Sequence, residues 1–526
     1  MRLRTAVIGT TICFAGLFIY SCSGNGNRHK GKKIFASDLA EGKKLASVYC
    51  QSCHQLPNPS LLDGKTWANG VLPVMGPRLG IFGHDGKNYP YNRFDLDLGK
   101  NFYPVKAAMT DEQWEKIIDY YSYTAPDSLS VKQDRKYPIK TDTSLFSSLV
   151  PPFRFYGASL CYVNIDTQDK EKPILIGEAT NNQLYRLDRN LNLVDSVHTI
   201  SPVVDISFGE PDWISCNIGM LNPNNGKYGS LRKMKFYKNG RLKEDTAKLF
   251  DGLQRPVQVI PSDLNKDGRM DYVVCEFGFL TGALSWLENM GNGNFTRHII
   301  RALPGAIKCY IRDENKDGLP DLWVLFAQGE EGIFLFTNQG QGRFSEKEVL
   351  RFPSVYGSSY FEFDDFNKDG FEDILYTCGD NADYSAILKP YHGVYIFLND
   401  GQNNFRQQYF FPINGCYKAI ARDFDNDGDL DIATISHFAD YERQPEEGFV
   451  YLENRGNFDF LPSSLPATQN GRWLTMDAGD YDQDGRTDIL LGNFSKAPSF
   501  IKSKVDWKTA APFLLLRNRG RMANRQ

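Results

Sequence analysis

The sequence has no surplus of charge of either sign. Sixty Lys and Arg stand against 64 Asp and Glu, a formal net charge of -4. A nucleic-acid-binding chain would show a basic excess, and none is here. The apolar run at the N-terminus, Thr5 to Tyr20, falls short of the ~20 residues that a bilayer-crossing helix needs. Cysteine pairing is also sparse. Cys50 and Cys53 stand together, but the next cysteine is Cys161. A structural zinc site would need two further ligands at matching spacing. The histidines number seven and are scattered, with no nucleophile–base signature around them.

What is present is ordinary in bulk and particular in detail. The 526 residues exceed what one hydrophobic core organises, so several domains are expected. Hydrophobic residues at 41% and charged residues at 24% describe a folded chain. Forty-six Gly, 27 Tyr and 36 Phe favour a β-rich body with many turns. The opening "MRLRTAVIGTTICFAGLFIYSCSGNG" reads as an export signal: Arg2 and Arg4, an apolar stretch, then Ser21-Cys22 and an abrupt polar turn. It resembles a bacterial lipoprotein signal, which implies acylation of Cys22 after removal of residues 1–21 and a body held outside the cytoplasm by a lipid anchor. An uncleaved N-terminal anchor is the alternative. Residues 22–36 read as a flexible basic tether.

"VYCQSCHQLP", residues 48–57, follows a helix-like segment with Leu39, Gly42, Leu45 and Ala46 at helical spacing. A dithiol redox pair would sit in a βαβ context and would have no use for the adjacent His54. Two cysteines two residues apart with a histidine next to them suit covalent haem, with thioethers to the porphyrin and imidazole on iron. Residues 37–126 resemble a class I c-type cytochrome domain. The resemblance rests on the helix, on Cys50-Gln51-Ser52-Cys53-His54, and on the closing helix "TDEQWEKIIDYYSYTA". Thr110 and Gln113 form a capping-box pattern there, and Trp114, Ile117, Ile118 and Tyr121 form its apolar face. The family's order of elements implies a methionine as sixth ligand between motif and closing helix. Met75 in "VLPVMGPRLG" is the choice, with Met109 and His84 as alternatives. A thioether ligand suits electron transfer.

Residues 127–143 read as a linker. Beyond them one pattern, D-x-[ND]-x-D-G-x-x-D, recurs five times. Its oxygen-bearing positions are Asp263, Asn265, Asp267, the Arg269 carbonyl and Asp271; then Asp313, Asn315, Asp317, the Leu319 carbonyl and Asp321. The third copy has Asp365, Asn367, Asp369, the Phe371 carbonyl and Asp373. The fourth has Asp423, Asp425, Asp427, the Asp429 carbonyl and Asp431, and the fifth has Asp480, Asp482, Asp484, the Arg486 carbonyl and Asp488. Such oxygen sets suit Ca²⁺; acidic turns without metal are the alternative. An EF-hand would need Glu at position 12 and flanking helices, whereas the first copy has Val274 there and the flanks are strand-like.

The loops resemble those of FG-GAP or VCBS-type repeats, which implies four-stranded blades of a β-propeller. Two degenerate units before Asp263 bring the number to seven, a number that propellers favour, so residues 144–526 are expected to form a seven-bladed all-β propeller beside the small all-α domain. The last blade lacks an outer strand, and Leu145–Val150 is expected to supply it beside Phe513–Leu516, which puts the linker before it at the outer rim of blade 7, near that blade's long loop. Cys161, Cys216, Cys275, Cys309, Cys378 and Cys416 are read as buried thiols, with disulfides between blades as the alternative.

The long loops after the second strands of blades 5, 6 and 7 carry Tyr384, Tyr391, His392, His437, Tyr441, Arg443, Lys502, Lys504 and Trp507, candidate binding residues; insertions that merely pack on each other are the alternative. Two functions fit. One is a membrane-tethered electron carrier whose propeller docks a redox partner protein or an extracellular ligand. The other is a propeller redox enzyme, like fused quinoprotein dehydrogenases, that passes electrons to its own cytochrome domain.

Overall fold

The computed structural model describes residues 34–521 apart from 53, 91–94, 131–132, 210–211, 238–240 and 381–384. Seven antiparallel sheets follow one another, each running strand by strand from the axis outward. Blade 1 spans Leu160–Ile165 to Leu193–His198 and blade 2 Val203–Ser207 to Leu242–Leu253. Blades 3, 4 and 5 begin at Pro256–Ser262, Ala306–Arg312 and Ser358–Asp364. Blades 6 and 7 begin at Cys416–Arg422 and Trp473–Gly479. Strands in each blade are named A to D from the axis outward. Consecutive strands alternate in direction, so the A–B and C–D turns share one face of the ring and the B–C and D–A connections share the other.

Blade 7 builds only three strands from its own stretch, the last being Phe513–Asn518. Its outer strand is Phe146–Leu149, paired antiparallel with Leu515↔Leu149 and Asn518↔Phe146. The expected closure is therefore present, and it hides an edge that would otherwise invite another chain. Phe146 drives the docking: it is 2% exposed and meets Phe424 and Tyr451 edge-on at 5.9 and 5.5 Å.

The innermost strands are not hydrogen-bonded to one another as ladders, so their axial edges need other partners. One side chain per blade reaches the main chain of the next. Cys161 Sγ donates to Val203 O (3.2 Å), Asp205 accepts from Val259 N (2.9 Å), and Gln258 accepts from Cys309 N (2.7 Å). Tyr310 donates to Phe361 O (3.2 Å), Glu362 accepts from Ala421 N, Lys418 donates to Met476 O (2.7 Å), and Asp477 accepts from Ile165 N (2.8 Å). All seven blade boundaries are laced in this way. The six body cysteines are buried free thiols.

Residues 36–126 form a small helical unit. Its first helix, Ala36–Tyr49, crosses the closing helix, Asp111–Thr124, at Gly42. A Cβ at Gly42 would stand 2.1 Å from Lys116 O, so only glycine permits this approach. The closing helix starts as expected: Thr110 Oγ1 accepts from Gln113 N (3.2 Å) and Gln113 returns a bond to Thr110 N (3.0 Å). Trp114 and Ile117 are fully buried in a core with Ala46, Leu62 and Trp67. No helix among the described residues is long and apolar enough to cross a membrane.

The linker departs from expectation. It was expected at the rim of blade 7, but it first runs along blades 5 and 6. Arg135 pairs with the buried Glu447 and donates to Pro412 O (2.8 Å), Lys136 pairs with Asp459 (2.6 Å), and Lys140–Thr141 pair in parallel with Ser463–Ser464. The reason is electrostatic: burial pushes the Glu447 carboxyl up to about 7, and the Arg135 guanidinium opposes that rise.

Candidate functional site

The five acidic loops join strands A and B of blades 3 to 7, all on one face, and share one construction. The first aspartate accepts from the main-chain N–H of positions 5 and 6. Asp263 binds Asp267 N at 3.0 Å and Gly268 N at 2.9 Å, and Asp313, Asp365, Asp423 and Asp480 do the same. Position 4 takes a left-handed conformation in each copy (Lys266, Lys316, Lys368, Asn426, Gln483), and so does the glycine at position 6. The loop thus curls its oxygens inward.

The ninth aspartate is fully buried in every copy. One of its oxygens takes the N–H of position 2, as in Asp431 with Phe424 N (3.2 Å). The other takes the main-chain N–H of an asparagine closing strand C: Asn289, Asn338, Asn399, Asn454 or Asn518, at 2.7–2.9 Å. Each asparagine also donates its side-chain N–H to the carbonyl before that aspartate. The sequence reading missed these asparagines, although an Asn at the end of every such strand C was the signal.

The donor sets fit a hard divalent cation. Carboxylate oxygens of Asp423, Asp425 and Asp431, and of Asp480, Asp482 and Asp488, lie within 4.8 Å of one another. Asp482 Oδ1 is buried without a hydrogen-bond partner, which is what an oxygen reserved for a metal looks like. In blades 3 to 5 position 3 is asparagine, so those loops carry one carboxylate fewer. Cationic side chains lean on several of these groups: Arg517 on Asp482 (2.7 Å), Lys368 on Asp429 (2.6 Å), and Arg521 on Asp425.

The helical unit sits on the opposite face. Asn225 of blade 2 donates to Asp95 (2.8 Å), Arg78 donates to Leu280 O of blade 3 (3.3 Å), and Tyr391 of blade 5 donates to Leu61 O (3.0 Å). Val355 and Ile387 pack into the unit's own core. Cys50 caps the first helix, and His54 follows the turn after it. His54 Nδ1 lies 2.8 Å from Gln55 O. A carbonyl only accepts, so Nδ1 is the donor of this bond, and Nε2 is the ring nitrogen not engaged by it. Met75 ends a helical turn, Leu72–Met75, and is half-buried. Met109 is buried in the unit's core, where it has a packing role. His84 lies in a short hairpin. Cys22 and Cys53 fall outside the described residues.

Of the two readings of the long B–C loops, mutual packing describes much of what is seen. His392 is fully buried, and Tyr391 is spent on the seat of the helical unit. Tyr441 and Trp507 pack together with Ala439, so the loops of blades 6 and 7 cover each other. Burial pushes the imidazoles of His392 and His437 well below their ordinary range. Lys502 and Lys504 remain exposed. Tyr384 falls outside the described residues.

The family model of the FG-GAP-like repeat matches residues 263–324 and 313–376. No curated protein matches the sequence. Among solved structures, the Neurospora crassa Pan2 WD40 domain aligns at 10% identity and a TM-score of 0.42, over 73% of this chain and 99% of that one. Saccharomyces cerevisiae Sqt1 aligns at 10% identity and a TM-score of 0.40, over 70% of this chain and 98% of that one. Likeness at this level carries no functional argument. The chain is a seven-bladed β-propeller that contains FG-GAP repeats.

Proposed function

We propose that the protein is an extracytoplasmic electron carrier, tethered to a membrane through a lipid on Cys22, whose propeller holds a small haem-bearing unit against a docking partner. The observation that carries the reading is the motif at the end of the first helix. Cys50, Cys53 and His54 have the spacing of covalent haem attachment, and His54 uses Nδ1 on Gln55 O, so Nε2 is not engaged by that bond. Bound there through Cys50 and Cys53 with His54 on iron, haem c would supply one-electron chemistry. Gln55 fixes the imidazole's tautomer, and Met75 is the candidate for the second axial ligand. The five loops would hold Ca²⁺ and stiffen the face away from the helical unit. The partner is a redox protein or an extracellular ligand.

The test is chemical. Full-length protein produced with haem-maturation machinery should keep its haem through acid–acetone extraction, and Cys50→Ala with Cys53→Ala should release it. Complete loss of haem from the unsubstituted protein would sink the reading. In the same preparation Met75→Ala should abolish the weak near-infrared sulfur–iron band without releasing haem. Loss of that band in Met109→Ala instead would move the ligand assignment.

A further inference from the structure

The five acidic loops do not all stand in the same surroundings. Every blade that carries one ends its strand C in an Asn-x-Gly turn. The glycine has a positive φ and donates its N–H to the asparagine Oδ1: Gly291 to Asn289, Gly340 to Asn338, Gly401 to Asn399, Gly456 to Asn454 and Gly520 to Asn518. In blades 3 to 6 the chain then enters strand D. Blade 7 takes its outer strand from Phe146–Leu149 instead, so the chain leaving Gly520 has no strand to form. Arg521 turns toward blade 6. Its guanidinium meets Asp425 in the acidic loop and Glu453 Oε1 on strand C, the latter at 2.7 Å.

The oxygen that Arg521 meets is the one left free for a metal. At position 3 of blades 3 to 5 the asparagine Oδ1 accepts the N–H of position 5. Asp425 uses its own Oδ1 in the same way, on Asp427 N at 3.1 Å. That leaves Oδ2. It is buried, it has no hydrogen bond, and Arg521 Nη2 stands against it.

Blade 7 has the opposite arrangement around an equivalent aspartate. Arg517 Nε holds Asp482 Oδ2 at 2.7 Å and leaves Oδ1 buried without a hydrogen-bond partner. There the arginine engages one oxygen and spares the other. Arg521 stands on the oxygen that Asp425 has free.

We propose that Arg521 is a resident competitor for the cation at the blade 6 loop: the guanidinium and a divalent metal ion exclude each other at Asp425. The inference rests on the reading of the five loops as calcium sites. A guanidinium and a divalent ion at one carboxylate repel each other, and a buried oxygen gives them little water to screen that repulsion. Asp423, Asp425, Asp427, Asp429 and Asp431 make this the loop with the most carboxylates. Charge alone would therefore rank it tightest of the five, and Arg521 opposes that ranking. The coupling is mutual. An ion at this loop loosens the clasp between blade 6 and the end of the chain by as much as the clasp weakens the ion.

Calcium titration of the full chain against a competing chromogenic chelator, at constant ionic strength, tests this. Arg521→Gln should tighten one site at least fivefold, and Asp425→Asn in that background should remove the gain. Arg517→Gln changes the net charge equally but frees an oxygen that its loop does not lack, so it should give no such gain. Calcium binding with unchanged affinity in Arg521→Gln, or an equal gain in Arg517→Gln, overturns the proposal alone. Absence of calcium binding in every one of these proteins overturns it together with the loop reading beneath it.

Discussion

At the scale of residues, Glu331 shows how one buried group ties a loop and titrates. It is 2% exposed and accepts from Ser358 N (2.9 Å), Ser358 Oγ (2.6 Å) and Gly357 N (3.3 Å). Burial pushes its carboxyl up to about 7. An acid raised in the folded state favours folding most below its unfolded pKa of 4.5, and that contribution is lost as pH rises through about 7. Glu331→Gln should therefore shrink the fall in stability between pH 5 and 8 by up to about 3 kcal/mol. Urea midpoints of both proteins at the two pH values, with calcium fixed, measure the difference; equal slopes would refute it. Nothing near Glu331 in the sequence announces this, since its partners lie 26 and 27 residues away. The aspartates of the five loops were legible because their ligand pattern is local. Their asparagine partners, 17 to 30 residues further on, were overlooked although they recur just as regularly.

At the scale of elements, the strand Phe146–Leu149 is the clasp that joins the two ends of the ring. Phe146 is buried among Ile420, Phe424, Tyr451 and Leu516, residues of blades 6 and 7. Phe146→Ala should cost about 3–5 kcal/mol, the range for a large buried aromatic. Because the clasp belongs to the whole ring, the single unfolding transition should move as one; a separate early step confined to the N-terminal segment would show a merely local role. The clasp was readable in the sequence because the last blade lacks an outer strand and residues 144–166 repeat the order of an outer strand leading into an inner one. The path of the linker was not. It depends on Glu447, buried in a loop of blade 6 and needing a cation, and on Arg135, which lies 312 residues away.

At the scale of the whole molecule, calcium in the proposed sites would act together with ring closure. The five acidic loops lie on one face of blades 3 to 7, and blades 1 and 2 carry no copy of the pattern. Each occupied site adds about 2.7 kcal/mol when free calcium is a hundredfold above its dissociation constant. A chelator should lower the melting temperature of the full chain by several degrees, and added calcium, but not magnesium, should restore it. An unchanged melting curve in saturating chelator would mean that the loops are acidic turns and nothing more. What the sequence determined alone was whatever repeats or stays local: the blade count, the strand order, the five loops, the capped closing helix and the cysteine–histidine motif. These follow from contacts within a few residues, or from a period that copies itself along the chain. Only the tertiary structure decided the seven side-chain lacings at the axis and the seat of the helical unit on blades 2, 3 and 5. Each of these joins residues from different blades at sequence separations that follow no pattern, and closing the ring is what brings them together.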